Sequence, residues 1–284
     1  PSPSYIEESS EDSSIDSSSE RIYDPSTLYG GYYASLNSWS DGEDLKRQLH
    51  DIIHGGTYQA IDYIRNGTSN WASNADADRC YDDLELLNVV YSKQAIDPAL
   101  TTVSWNREHA FPASLMCGMA TGEAVKTLGR ATDFHNLFAA FASGNSSRGN
   151  KNFGVADKES PSYLIGGDYS SDEKNFEPGD DDKGRLSRAI FYMATMYMDD
   201  ESSGLKGLSV VEDYVDYVQG DGCAYSIGNK STLLEWSSFP VDYQEILHNE
   251  SVYSFIPTLS SLVENNHAQG NRNPYVDFPG LVDY

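Results

Sequence analysis

Three short stretches in the middle of the chain carry residue types that move protons and hold phosphate. They are WNREHAFP (105–112), DFHNL (133–137) and GNSSRGNKNF (144–153). A histidine whose pKa lies near neutrality can take a proton from water. One glutamate and one asparagine offer the hard oxygens that Mg2+ accepts while it keeps several waters. Arginine and lysine neutralise charge that builds on non-bridging and leaving oxygens. Glu108 and His109 in the first stretch, Asn145 and Arg148 in the third, and Arg107 beside the pair supply all of these types. Hydrolysis of a phosphodiester needs every one of them, and that is the chemistry the combination implies.

A Glu-His pair alone is most often surface or core filler, so the argument rests on the combination. Adjacent residues on a regular strand point to opposite faces. A chain that aims Glu108 and His109 into one site must therefore bend just after the strand, and Pro112 soon ends regular pairing.

The chain as a whole opposes a phosphate-rich partner, with a formal net charge of −25 from 19 basic and 44 acidic side chains. The imbalance is uneven, because 10 of the 19 Lys and Arg residues lie between 101 and 190. Acid elsewhere is screened over a Debye length of about 8 Å at physiological salt. The excess thus argues against a broad sliding surface and leaves room for a focused phosphate site.

The elements that must carry these residues can be read coarsely. Residues 1–20 hold nine serines, six acids and no Lys or Arg. They cannot bury enough apolar surface to order themselves, so 1–22 reads as a disordered Ser/Glu-rich spacer, in its sharper form a stalk off a cell surface. The folded domain is expected over 23–284. SDGEDLKRQLHDIIHGG (40–56) reads as a helix stopped by Gly-Gly, and YQAIDYIRNG (58–67) as a second, short one. His50 and His54 share a face of the first, as surface histidines rather than a metal site. LELLNVVYS (84–92) and TTVSWNRE (101–108) read as strands. KGRLSRAIFYMATMYM (183–198) has helical apolar spacing behind Asp180, Asp181 and Asp182, which suit a solvated helix start. GLSVVEDYVDYVQG (207–220) and 241–265, the latter broken by Pro257, read as further helices. Cys80, Cys117 and Cys223 fit no zinc or redox spacing and read as small buried hydrophobes.

Five ordered patches carry a resemblance: WNREHAFPASL, DFHNLFAAFASGNSSRGNKNF, FEPGDDDKGRLSRAIFYMATMYM, LLEWSSFPVD and QGNRNPYVDFP, with VVYS ending near Tyr91. Over most of 40–284 the chain resembles the endonuclease I family of exported bacterial non-specific nucleases, members of the His-Me finger (ββα-metal) group. The resemblance implies an α+β fold, with a ββα-metal core embedded in a mostly helical single domain. It implies His109 as general base, Glu108 and Asn145 as ligands of one Mg2+ (or Mn2+ or Ca2+), and DNA and RNA as substrates held by their backbone phosphates. A basic side chain that stabilises the transition state falls by spacing on Arg130, with Lys126 as the second choice. Arg107 and Arg148 are expected to contact substrate. Asp133, His135 and Asn136 are expected to brace the site from behind. Water attacking phosphorus in line with the 3′ oxygen would leave 5′-phosphate products. Export, and a cell-surface tether upstream of residue 1, complete the expectation. The rival reading is a catalytically silent nuclease fold serving as a surface binding module or adhesin.

Overall fold

Leu45, Leu49 and Ile53 recur at helical spacing, and all three are buried on one face of helix α1, Gly42–His54. Glu43 and Asp44 sit in its first turn, where the helix dipole favours acids. Gly55 and Gly56 follow its last residue, and Gly56 takes the left-handed conformation that stops a helix.

The computed structural model describes residues 28–36, 42–61, 74–100, 104–116, 129–199, 205–216, 224–254 and 268–283. Chain contacts divide it into two units, Pro1–Asn37 and Ser38–Tyr284. In the first, a 3-10 turn at Leu28–Gly31 places Tyr29 and Gly30 left-handed, and Tyr29 and Tyr32 both meet Tyr33 edge to face. The spacer assigned to 1–22 lies outside the described residues.

The second unit is mixed α+β. Strand β1, Trp105–His109, pairs antiparallel with β2, Leu137–Phe141, in a register that sets Glu108 opposite Phe138 and His109 opposite Leu137. β2 runs without a loop into helix α2, Ala142–Arg148. The result is a strand, a strand and a helix in that order, with α2 packed on both strands. Beneath β1, Trp105 and Ala139 pack with Ala75, Leu87 and Val89. Beside it, β3 (Asn152–Phe153), β4 (Leu164–Gly166), β5 (Tyr169–Ser171) and β6 (Asn175–Pro178) form a sheet in the order β3-β6-β5-β4.

Helix α3, Asp180–Met196, lies among the other helices: α1, α4 (Lys230–Ser237) and α6 (Pro274–Asp277) pack on it. So central a helix must bury some of its charges, and each is paired. Arg188 grips Glu245 of α5 (Tyr243–Tyr253) through Nε and Nη2 at 2.6 and 2.5 Å, and its Nη1 donates to the carbonyls of Ser237 and Phe239. The Asp triplet opens this helix as expected, but Asp182 is not solvated. It is buried, paired with Arg185, and accepts the Tyr91 amide at 2.6 Å.

Two other elements differ from expectation. Residues 84–92 form no strand; Leu87 and Val90 make only single bridges, to Arg79 and Ile96 and to Ala140. The left-handed φ of 72° at Tyr91 turns the chain out of line. Residues 207–216 form no helix. Leu208 is buried while Ser209 is exposed, a period of two, and Ser209–Val210 (β7) pairs parallel with Ser226–Ile227 (β8). Of the short helix expected at 58–67, Tyr58–Ile61 are irregular and the rest lies outside the described residues. Within 241–265 the helix observed is Tyr243–Tyr253; Pro257 lies outside the described residues. Cys80 is buried, as a small hydrophobe would be; Cys117 and Cys223 lie outside the described residues.

Candidate active site

Strand alternation sends Asn106 and Glu108 to one face of β1 and Arg107 and His109 to the other. The chain leaves the strand immediately afterwards. Ala110 N–H still donates to Asn136 O at 3.0 Å, and then Phe111 and Pro112 turn into a 3-10 helix at Ala113–Met116. Glu108 and His109 are therefore the last two ladder residues before a bend.

His109 is half-buried, and its Nε2 lies 2.9 Å from the carbonyl oxygen of Ala131. A carbonyl can only accept, so Nε2 carries the proton and Nδ1 bears the lone pair of the neutral ring. Desolvation lowers the pKa to about 4, against an opposing push from the Ala131 carbonyl, with Arg107 and Arg148 adding to the depression. The ring is neutral at physiological pH and able to accept a proton at Nδ1.

Glu108 is 2% exposed. Its Oε1 accepts the Tyr91 hydroxyl at 2.9 Å and Arg148 Nη1 at 2.8 Å. Burial pushes this carboxyl above its usual range, and Arg148 and then Tyr91 pull it back. Asn145, on α2, donates from Nδ2 to Asn106 Oδ1 at 2.7 Å and to Arg107 O at 3.0 Å. Its amide is thus held along the backbone beside Glu108, with Oδ1 turned away from both acceptors.

Arg148 was expected at the substrate, and the structure places it elsewhere. Its side chain is 1% exposed, and it donates to Glu108, to His109 O at 2.8 Å and to Ala110 O at 2.7 Å, with its guanidinium 4.5 Å over the Phe153 ring. It ties the metal-ligand candidate to the bend. Arg130 is buried too, and donates to the carbonyls of Met116 and Lys206 at 3.5 and 3.0 Å. It reaches His109 through the chain, as the neighbour of Ala131. Arg107 is half-buried on the His109 face of β1. Lys126 lies outside the described residues.

The three bracing residues form a buried wall. Asn136 clamps the bend, accepting Phe111 N–H at 2.6 Å and donating to Phe111 O at 3.1 Å. Asp133 caps the 3-10 turn Phe134–Asn136 through His135 N–H and accepts the hydroxyls of Tyr192 and Tyr197 and the amide of Gln269. His135 donates from Nε2 to Asn271 O at 3.1 Å and packs on Tyr192. Desolvation, helped by His248, lowers the His135 pKa to about 3.

That depression has a stability consequence with a definite sign. The unfolded state takes up this proton near pH 6.5 and the folded state only near pH 3. The stability from a neutral His135 is therefore complete above 6.5 and lost as pH falls from there towards 3. His135→Gln should be less stable than wild type at pH 7, with the gap narrowing by on the order of 1 kcal/mol per pH unit below 6.5. Urea unfolding of both proteins at several pH values measures it; a gap independent of pH contradicts the neutral, desolvated ring.

Residues 41–280 match the family model Endonuclease I. The chain belongs to the endonuclease I family. It is 30% identical over 249 residues to an extracellular ribonuclease of Bacillus subtilis (strain 168), covering 85% of this chain and 74% of that protein. It is 30% identical over 267 residues to an extracellular ribonuclease of Bacillus amyloliquefaciens, covering 93% and 81%. Two groups that touch the candidate residues of this endonuclease I family member are ones that a motif search passes over. Tyr91 lies well before the Glu-His pair, and the Ala131 carbonyl has no side-chain signature at all; the VVYS patch was the one hint of the first.

The donor set suits a small hard cation. Glu108 Oε2 accepts no hydrogen bond among the described residues, and the Asn145 amide, tied to Asn106 and to the Arg107 carbonyl through Nδ2, has a neutral oxygen in Oδ1. No cluster of three or more His, Cys, Asp or Glu able to hold a metal occurs among the described residues. One carboxylate and one amide completed by water is a ligand set that Mg2+ tolerates. A separate cleft of about 550 Å³, lined by residues such as Lys46, Phe191, Lys230 and Tyr275, includes none of the candidate residues.

Proposed function

We propose that this chain is an exported, divalent-metal-dependent endonuclease that hydrolyses the phosphodiester bonds of DNA and RNA without base selectivity. The observation that carries the reading is the His109 ring beside Glu108 at the end of β1, fixed through Nε2 by the Ala131 carbonyl so that Nδ1 is its basic atom. In this reading β1, β2 and α2 are the ββα-metal core. Nδ1 of His109 takes a proton from the attacking water. Glu108 and Asn145 would hold the cation, which supplies Lewis acidity for the phosphate oxygens when bound. Arg148 keeps Glu108 in place and, through the His109 and Ala110 carbonyls, fixes the bend. Arg107 and Lys126 remain the candidates for phosphate contact, and Arg130 for transition-state charge. The family and its extracellular ribonuclease relatives support a secreted nuclease. Among the described residues no helix is long and apolar enough to cross a membrane. The acidic 1–22 segment is proposed as a spacer ahead of the nuclease domain at 23–284, trailing from a cell-surface tether.

Relatives named ribonucleases raise a second reading, attack by the RNA 2′ hydroxyl. The two differ in their products. Water as nucleophile accepts both polymers and leaves 5′-phosphate and 3′-hydroxyl ends. Internal attack cleaves RNA alone and leaves 2′,3′-cyclic phosphate. End-group analysis of DNA and RNA fragments is expected to show 5′-phosphate from both; cyclic ends with intact DNA would overturn the proposal.

A further inference from the structure

The Glu108 carboxylate is used asymmetrically. Both of its hydrogen bonds converge on Oε1, one from Tyr91 and one from Arg148, and Oε2 accepts none among the described residues. Tyr91 is held for this position from several sides. Its φ of 72° is left-handed, a conformation that non-glycine residues adopt only where their surroundings hold them there. Its N–H donates to Asp182 at 2.6 Å, and Asp182 is itself paired with Arg185. Its carbonyl accepts the Asp168 amide at 3.0 Å. Phe176 sets its ring 4.7 Å from the Tyr91 ring, edge to face. Gly144 of α2 comes so close that an added Cβ would stand 2.7 Å from the Tyr91 Cβ. The phenol cannot swing away from Glu108 without moving the helix that carries Asn145.

We propose that Tyr91 is a positioning residue that sets which cation this site accepts. With Oε1 held by two donors, Glu108 can offer a metal one oxygen. Mg2+ and Mn2+ sit well in octahedral sites of one or two protein oxygens completed by water. Ca2+ takes six to eight oxygens and commonly draws both from a carboxylate. A one-oxygen Glu108 beside a single amide therefore favours the small octahedral ions and penalises Ca2+. The inference rests on the proposed metal site at Glu108 and Asn145, and goes beyond it in assigning the selectivity and the residue that imposes it.

The test is cation binding without nucleic acid, which needs no turnover. Mn2+ binding to the whole chain is followed by EPR, with Mg2+ and Ca2+ as competitors, for wild type and Tyr91→Phe. Phenylalanine keeps the packed ring, and thermal unfolding checks that the variant is folded. Wild type is expected to bind Mg2+ at least tenfold more tightly than Ca2+. In the variant Mg2+ affinity should fall about 10- to 100-fold, the usual cost of removing an outer partner of a ligand. Ca2+ affinity should fall less, because Oε1 then keeps only the Arg148 donor and its second lone pair is open to a large cation, so the Mg2+/Ca2+ ratio shifts at least tenfold towards Ca2+. An equal loss for both ions, or no loss for either, would overturn the role of Tyr91. A wild type that prefers Ca2+ overturns the inference whatever the variant does. Cleavage by a wild type that binds no cation would overturn the metal site while leaving a nuclease.

Discussion

His109→Ala should lose roughly 100- to 10,000-fold in the cleavage step, the range for removing a positioned general base, while binding nucleic acid as wild type does. The expectation follows from the Ala131 carbonyl, which fixes the Nε2–H tautomer and makes Nδ1 the basic nitrogen of the ring. Truncation takes away the base without touching Glu108, whose partners are Tyr91 and Arg148. Single-turnover cleavage at saturating enzyme isolates the chemical step, and filter binding in EDTA gives affinity separately. A fall in affinity with an unchanged single-turnover rate would make His109 a binding residue.

Arg148→Ala should unfold easily, and that outcome separates two roles for this arginine. Removing one partner of a buried ion pair costs about 3–5 kcal/mol, because the other charge is left uncompensated. Here Glu108 would lose its counter-charge, and the carbonyls of His109 and Ala110 would lose their donor. The variant should show a lower urea midpoint and little activity even at saturating substrate. Had Arg148 met substrate instead, the variant would unfold like wild type and show a raised KM. Normal stability with a raised KM would therefore restore the role that the motif suggested.

The candidate residues stand out in the sequence more plainly than the elements around them. Glu108, His109 and Asn145 belong to local patterns and lie in one strand–strand–helix unit, while Asp133, His135 and Asn136 stand in the 3-10 turn just ahead of its second strand. The motif marks Arg148 but not its burial against Glu108, because an arginine's presence says nothing about which way it points. Burial decides that, and burial depends on Phe153 and on carbonyls from another strand. Tyr91 was missed as a functional residue because its approach to Glu108 depends on a left-handed turn and on Asp182, far along the chain. The helix α1 was legible because its apolar spacing has one period. Residues 84–92 and 207–216 were not, since short β-rich runs pair only where a partner is supplied. Leu87 finds single bridges and Val210 one short neighbour.

Net charge also misleads when taken alone. The −25 is a property of the whole chain, whereas the proposed chemistry uses a few residues within 101–190. It should still weaken the grip on a polyanion, so cleavage must be assayed at low as well as physiological salt.

Hydrolysis at Glu108, His109 and Asn145 is proposed to depend on a divalent metal. Its most direct test is nicking of supercoiled plasmid by the purified chain at low salt, in Mg2+, in EDTA, and in EDTA with Mg2+ restored, beside Glu108→Gln. Nicking is expected in Mg2+, none in EDTA, recovery on restoring the ion, and loss in the variant at every Mg2+ concentration tried. Undiminished nicking in EDTA, or plasmid left intact under every divalent cation, would contradict it.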